Sequence, residues 1–433
     1  MKNLFFLSLF LLPHFVQAQS GMTLDECIRL AWKQNPSVRN SVIDIKEARA
    51  DYMAAVGAFL PRAAVNAETG KRFGRSIDPD TNGYTNETFE EGTVGLDMTL
   101  SLFEGFSRIH QVRFRKMNKE RSEWALKNKQ NELAYQVTDA YYKLILERKL
   151  LNLALEQSRL SERYLKQTEA FVELGLKSAS DLQEVKARRE GDIYRYQSRE
   201  NSSRIALLHL KQLMNIQPGD TLAILDTITA SQVPPYSVST VETLYAQSIE
   251  ILPSIRMIDL KQKAAHKEYA IAGGAFSPSV FARFTVGSNY YNTAFSARQL
   301  RDNIGKYVGV GISFPLLSGL QRLTNQRKLK LNMYRLKNEE ELEKQQLYTD
   351  IEQTLLSLHT GYSEHQQALS QLDAETLVLK ESERKWEEGL ISVFQLMEAR
   401  NRFIAAKAEL VRVRLQIEMM MKLEKYYRQG TFL

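Results

Sequence analysis

Phe171-Val-Glu-Leu-Gly-Leu-Lys-Ser-Ala-Ser-Asp-Leu182 interrupts a stretch, Phe106–Met214, that holds no proline and only one other glycine, Gly191. As a single helix, Phe106–Leu174 would reach about 100 Å at about 1.5 Å per residue. That is far longer than a typical globular helix. Gly175 can close this helix in a left-handed cap, and Ser178 or Ser180 can cap the next one. The stretch therefore predicts a very long helical hairpin with a small polar tip.

The hairpin occurs twice. Val94-Gly-Leu-Asp-Met-Thr-Leu-Ser-Leu-Phe-Glu-Gly105 aligns with Val308-Gly-Val-Gly-Ile-Ser-Phe-Pro-Leu-Leu-Ser-Gly319, an offset of 309 − 95 = 214. Gly175 and Gly389, Leu182 and Leu396, and Glu184 and Glu398 keep that offset. Upstream, Asn35-Pro36 resembles Leu252-Pro253, and Gly57-Ala-Phe-Leu-Pro61 resembles Gly274-Ala-Phe-Ser-Pro278, at an offset of 278 − 61 = 217. A duplication of this length decides the architecture before any single motif does. It divides the chain into a first repeat over 19–217, with strand pair 62–103 and hairpin 106–214, and a second over 240–433, with strand pair 279–317 and hairpin 320–428. Residues 218–239, with Pro218, Pro234 and Pro235, connect them.

Residues 1–18 read as a secretory signal. Lys2 gives a basic start, Leu4–Leu12 is almost wholly apolar, and Val16-Gln-Ala18 suits cleavage after Ala18. No cysteine lies near that site, so no lipid anchor is expected there. Cys27 is the only cysteine and forms no internal disulfide; core packing is its expected role. The net charge is +7. Its charges are mixed along helices, as in Lys116–Arg121 and Glu339–Lys344, without an aromatic-basic patch, so nucleic acid is not an expected partner.

Thr23–Phe59 reads as helix, opened by a Thr23/Glu26 capping box and broken at Pro36. From Pro61 the period changes to two. Val94, Leu96, Met98 and Leu100 alternate with small or polar residues, as do Val280, Ala282, Phe284 and Val286, and Val308, Val310, Ile312 and Phe314. Arg62–Gly70 follows the pattern more weakly. At about ten residues each, such segments have the length of tilted membrane-spanning strands. A small soluble sandwich is the other reading. Four strands are too few to close a barrel, so a barrel would have to be shared among several chains. The helical period then returns, with a stripe at Leu133, Val137, Ala140, Leu144, Leu151 and Ala154, and another at Leu347, Ile351, Leu355, Leu358, Tyr362, His365, Leu369 and Leu372.

These features together resemble the TolC family of outer-membrane efflux and secretion channels. Leu24-Asp-Glu-Cys-Ile-Arg-Leu-Ala31 with Asn35-Pro36 looks like that family's opening helix, and Gly57-Ala-Phe-Leu-Pro61 like its helix-to-barrel joint. Gly175-Leu-Lys-Ser-Ala-Ser-Asp-Leu182 and Gly389-Leu-Ile-Ser-Val-Phe-Gln-Leu396 look like its two periplasmic tips. The resemblance covers essentially the whole chain after the signal. It implies a mainly α protein with a membrane β-barrel portion, and a homotrimer with a twelve-stranded barrel in outer-membrane lipid on a twelve-helix periplasmic tunnel. It implies export of small molecules or polypeptides, together with a periplasmic adaptor (membrane fusion protein) and an inner-membrane transporter. Gly74–Asp80 would lie in an outer loop.

Carried over residue by residue, the resemblance assigns adaptor docking to Gly175, Leu176, Ser178, Asp181, Gly389, Leu390 and Ser392. It assigns the constriction to Gln395 and Glu398, six and nine residues past Gly389, with Trp386 and Asp181 as a bridge in the closed state. The family's well-studied pattern has acid at both constriction positions, so Gln395 departs from it. The alternative is a periplasmic adaptor or coiled-coil scaffold, which needs no lipid-facing alternation. No catalytic motif, cofactor motif or metal-ligand spacing is present; His359 and His365, six apart, do not share a helix face.

Overall fold

Thr23 opens the first helix with both halves of a capping box: its hydroxyl accepts from Glu26 N–H, and Glu26 accepts from Thr23 N–H. In this computed structural model the described residues are 21–77, 81–226, 228, 232–233, 239–292, 294–316 and 319–433. The expected signal over 1–18, the Asp78–Asp80 part of the outer loop and the prolines 234 and 235 of the connector lie outside them.

The helices are α1 (Leu24–Gln34), α2 (Pro36–Gly57), α3 (Ser107–Glu173), α4 (Ala179–Leu213), α5 (Val241–Ile251), α6 (Pro253–Gly274), α7 (Ala297–Asp302), α8 (Gln321–Glu387) and α9 (Val393–Gln429). The strands are β1 (Arg62–Arg72), β2 (Ser76–Ile77), β3 (Tyr84–Thr85), β4 (Phe89–Glu104), β5 (Ser279–Asn292) and β6 (Gly305–Ser313). α3 and α8 are each 67 residues long, as the duplicated hairpin requires. The break at Asn35 is a stop in the hydrogen-bond ladder, because Pro36 has no N–H to donate. Asn35 fills the gap: its Oδ1 accepts from Ser37 N–H at 2.8 Å and its Nδ2 donates to the Leu213 carbonyl at 2.8 Å.

Contacts gather the chain into two compact units, and each draws on both repeats. One comprises the described residues up to Arg39, Gln130–Leu244 and Asp350–Leu433; the other comprises Asn40–Lys129 and Tyr245–Thr349.

In the first unit the helical stripes form the core. Leu133, Val137, Ala140 and Leu144 of α3 are buried, as are Ile351, Leu355, Leu358 and His365 of α8. Cys27 is buried without a disulfide, and burial pushes its thiol up to about 12. The connector is held by cations: Lys211 donates to the Pro218 carbonyl at 3.0 Å, and Lys149 pairs with Asp226 at 2.8 Å.

In the second unit the strands form one antiparallel sheet in the order β1-β4-β5-β6. The alternating pattern predicts two strand pairs; the structure joins them into one sheet through β4 and β5. Leu96 faces Val286, Met98 faces Phe284 and Leu100 faces Ala282 on one side of the sheet. Gly95 faces Gly287, Asp97 faces Thr285 and Thr99 faces Arg283 on the other. A Cβ on Gly287 would stand 3.1 Å from the Val94 carbonyl oxygen, which explains the paired glycines. β6 adds Val308, Val310 and Ile312 to the apolar side and ends at Ser313, because Pro315 cannot donate to a ladder. β1 and β6 are edges. In the loop between β1 and β4, β2 and β3 form a short hairpin, and Phe89 stacks on Tyr291 at 4.7 Å.

Candidate functional site: the two hairpin tips

Both tips end their first helix in the same way. Gly175 has φ 75° and Gly389 φ 76°, a conformation that glycine adopts without steric cost. Leu176 N–H reaches back to the Phe171 carbonyl at 2.8 Å, and Leu390 N–H to Lys385 at 2.8 Å, the long bond of a Schellman cap.

Both tips also open their second helix in the same way. Ser178 N–H and hydroxyl donate to the Asp181 carboxylate at 3.0 and 2.8 Å, while Asp181 N–H donates to the Ser178 hydroxyl at 3.1 Å. Those two bonds to the carboxylate hold Asp181 below the usual carboxylate range. At the second tip Ser392 N–H donates to the Gln395 amide oxygen at 3.0 Å, and Gln395 N–H donates to the Ser392 hydroxyl at 3.3 Å. Ser178, rather than Ser180, is therefore the cap. Gln395 does with an amide what Asp181 does with a carboxylate, 395 − 181 = 214 residues earlier.

The predicted docking residues fall into two groups. Ser178, Asp181 and Ser392 are committed to caps, and the glycines to turns. Leu176 and Leu390 stand free, 66% and 68% exposed. A Schellman cap favours an apolar residue just after its glycine, yet both leucine side chains stay about two-thirds exposed.

Trp386 is placed differently from the other expected gate residues. It is fully buried among Tyr164, Val185, Val393, Leu396 and Met397, with Tyr164 edge-on at 5.2 Å and Phe171 at 5.9 Å. Within one chain it makes no bridge to Asp181. Instead it packs α8 against both helices of the first hairpin. Glu398 is exposed and pairs with Arg402 at 3.3 Å. Glu184 and Glu398, equivalent in the repeat, line one groove of about 290 Å³ between α4 and α9, floored by Val185, Val393 and Met397.

Behind this groove lies a polar cluster that spacing alone did not reveal. Asp192 is buried and accepts from Gln157 Nε2 at 2.8 Å, from Ser161 and from Arg195. Arg400 of α9 is buried beside it and donates to the Gln157 carbonyl at 2.6 Å. Burial lowers the Arg400 guanidinium below its ordinary value. The position 214 residues after Asp192 is Ala406, so the cluster breaks the repeat symmetry, and that break was its only signal in the sequence.

Among the described residues no group of His, Cys, Asp and Glu could hold a metal ion, and no helix is long and apolar enough to cross a membrane. The profile of the outer membrane efflux protein family matches residues 27–215 and 244–419. The Campylobacter jejuni CmeC outer membrane channel superposes with a TM-score of 0.83 over 94% of this chain and 85% of that one, at 14% identity. The Vibrio cholerae outer membrane protein VceC superposes with a TM-score of 0.79 over 95% and 97%, at 15% identity. The open state of the Neisseria gonorrhoeae MtrE outer membrane channel gives 0.75 over 95% and 89%, at 17% identity. No curated protein matches the chain in sequence.

Proposed function

We propose, from the premise that the chain belongs to the outer membrane efflux protein family, that three copies form one export duct working with a periplasmic adaptor and an inner-membrane pump. The family is one of channels, not enzymes. One observation carries the trimer: the four-stranded sheet has an apolar face and two unpaired edges, β1 and β6. Edges in lipid leave N–H and C=O groups without water or partners, which costs several kcal/mol each. Pairing β6 of one copy with β1 of the next satisfies both edges. Three times four strands makes a twelve-stranded barrel, with Val65, Leu96, Met98, Phe284, Val308 and Val310 toward outer-membrane lipid. An adaptor or scaffold would have no use for this sheet.

Docking in this reading falls to the tips, with Leu176 and Leu390 as apolar contacts on the capped turns of Gly175, Ser178, Asp181, Gly389 and Ser392. The gate falls to Glu398, one carboxylate per chain and so a ring of three by symmetry, with Gln395 neutral beside it. Trp386 contributes by fixing the tip from behind. Cargo consists of small molecules or polypeptides that the pump delivers. Protein extracted from outer membranes should migrate as a heat-sensitive trimer and open ion-conducting pores in bilayers. Recovery only as a monomer without conductance would overturn the reading.

A further inference from the structure

On the polar face of the sheet, Arg62, Thr99 and Arg283 stand in one row across β1, β4 and β5. Cross-strand partners point to the same side, so the two arginines share a face with only Thr99 between them. They lie on strands two apart, about 10 Å from each other at about 4.8 Å per strand. Neither makes an ion pair within the described residues; Arg283 lies over the Phe281 ring at 5.8 Å. The only carboxylate in their cavity of about 270 Å³ is Glu104, and Arg108 already holds it with two bonds at 3.0 and 3.1 Å. The next carboxylate on this face, Asp97, accepts from Asn66 at 2.9 Å. Asn66 is neutral and leaves the Asp97 charge in place, and Glu104 also acts on Arg62. Each chain thus sets two guanidinium groups, neither of them in an ion pair among the described residues, against the single charge of Asp97 two residues along β4, on the face opposite the apolar one.

We propose that Arg62 and Arg283 form an anion-selecting ring inside the barrel, favouring cargo with carboxylate, sulfonate or phosphate groups. The inference rests on the trimeric barrel proposed above, in which the apolar face meets lipid and the opposite face lines the lumen. Three copies then place six guanidinium groups at one height. Twelve strands at about 4.8 Å, tilted by about 40°, give a barrel radius of about 12 Å. Arginine side chains reach inward from that wall. The centre of the lumen then lies within about one Debye length of the ring at physiological salt, where that length is about 8 Å. The ring's field therefore covers the whole cross-section, draws anions in and raises their local concentration. Arginine suits this role because it stays charged and offers paired donors to planar oxyanions.

The test is reversal potential across a planar bilayer under a KCl gradient, for the full chain and for R62Q/R283Q, with trimer migration checked on the same samples. The parent should have a chloride-to-potassium permeability ratio at least about threefold above the double variant near 10 mM salt, with the gap closing near 1 M as the Debye length shrinks to about 3 Å. Tripolyphosphate added from the barrel side should block the parent and spare the variant. R62K/R283K should keep the parent's selectivity, and R283Q alone should fall between, which covers loss of the double variant through misfolding. If parent and variants form trimeric channels with the same permeability ratio and the same block, the ring is refuted while the barrel stands. If the parent forms neither trimer nor channel, the barrel and the ring fall together.

Discussion

Arg400 Nη2 on α9 donates to the Gln157 carbonyl on α3 at 2.6 Å, so a buried guanidinium of the second hairpin is anchored inside the first. The nearest buried carboxylate, Asp192, is already shared among Gln157, Ser161 and Arg195. Arg400 keeps Nε and Nη1 without hydrogen-bond partners.

That arrangement predicts unequal costs. Removing Asp192 leaves Arg188, Arg195 and Arg400 without their shared anion, so Asp192→Ala should destabilise the tip region by about 3 kcal/mol or more. Arg400→Met removes a half-satisfied buried charge and replaces it with matching volume, so its cost should stay within about 1 kcal/mol. The temperature of trimer dissociation in detergent, compared for the two variants, checks this. Equal losses would contradict it.

The two tip caps should respond differently to acid. Asp181 is held below its ordinary range when folded, so its contribution is complete above the unfolded carboxylate value and is lost as pH falls through the lowered folded value. Gln395 does not titrate in the matching cap. Hydrogen exchange should therefore accelerate at the start of α4 as pH is lowered into that window, beyond the intrinsic pH dependence, and not at the start of α9. Ser178→Ala should cost about 1 kcal/mol at neutral pH. Parallel acid sensitivity at both tips would defeat this account.

Docking is best probed at the exposed leucines, whose side chains make no capping hydrogen bond. Leu176→Asp with Leu390→Asp should lower cross-linking to the adaptor and lower efflux, while trimer yield holds. Enlarging Ser178 or Asp181 instead would break the cap as well. If the double leucine variant exports like the parent, the tips do not dock through these side chains.

Glu398→Gln should weaken block by multivalent cations in single-channel recordings without changing trimer stability, because it removes the ring's only carboxylate. Glu184→Gln removes its repeat equivalent from the same groove and should have the smaller effect. Unchanged conductance, selectivity and block in Glu398→Gln would move the gate elsewhere.

The duplication, the helix limits and the caps were legible because their signals are local. Thr23 with Glu26, Ser178 with Asp181, and glycines at a constant offset each declare a turn within a few residues. The alternation in β4 and β5 was equally plain. The pairing of β4 with β5 was not, because its register joins residues about 190 positions apart and only the matched faces of Leu96 and Val286 select it. The burial of Trp386 was hidden for a related reason. A position three residues before a tip glycine can face the neighbouring hairpin or the core, and the aromatic neighbours Tyr164 and Phe171 that decide it lie on another helix. Asp192 and Arg400 read as ordinary members of charged helices until packing buried them.

In the proposed barrel β6 of one chain closes on β1 of the next. Single cysteines placed in β1 of one tagged chain and in β6 of a differently tagged chain, coexpressed in outer membranes, test it directly; Cys27 is buried and gives little background. A disulfide-linked pair carrying both tags should form for one register of positions along the strands and be found within the trimer. A trimer that never links these edges at any register, while linking others, would contradict it.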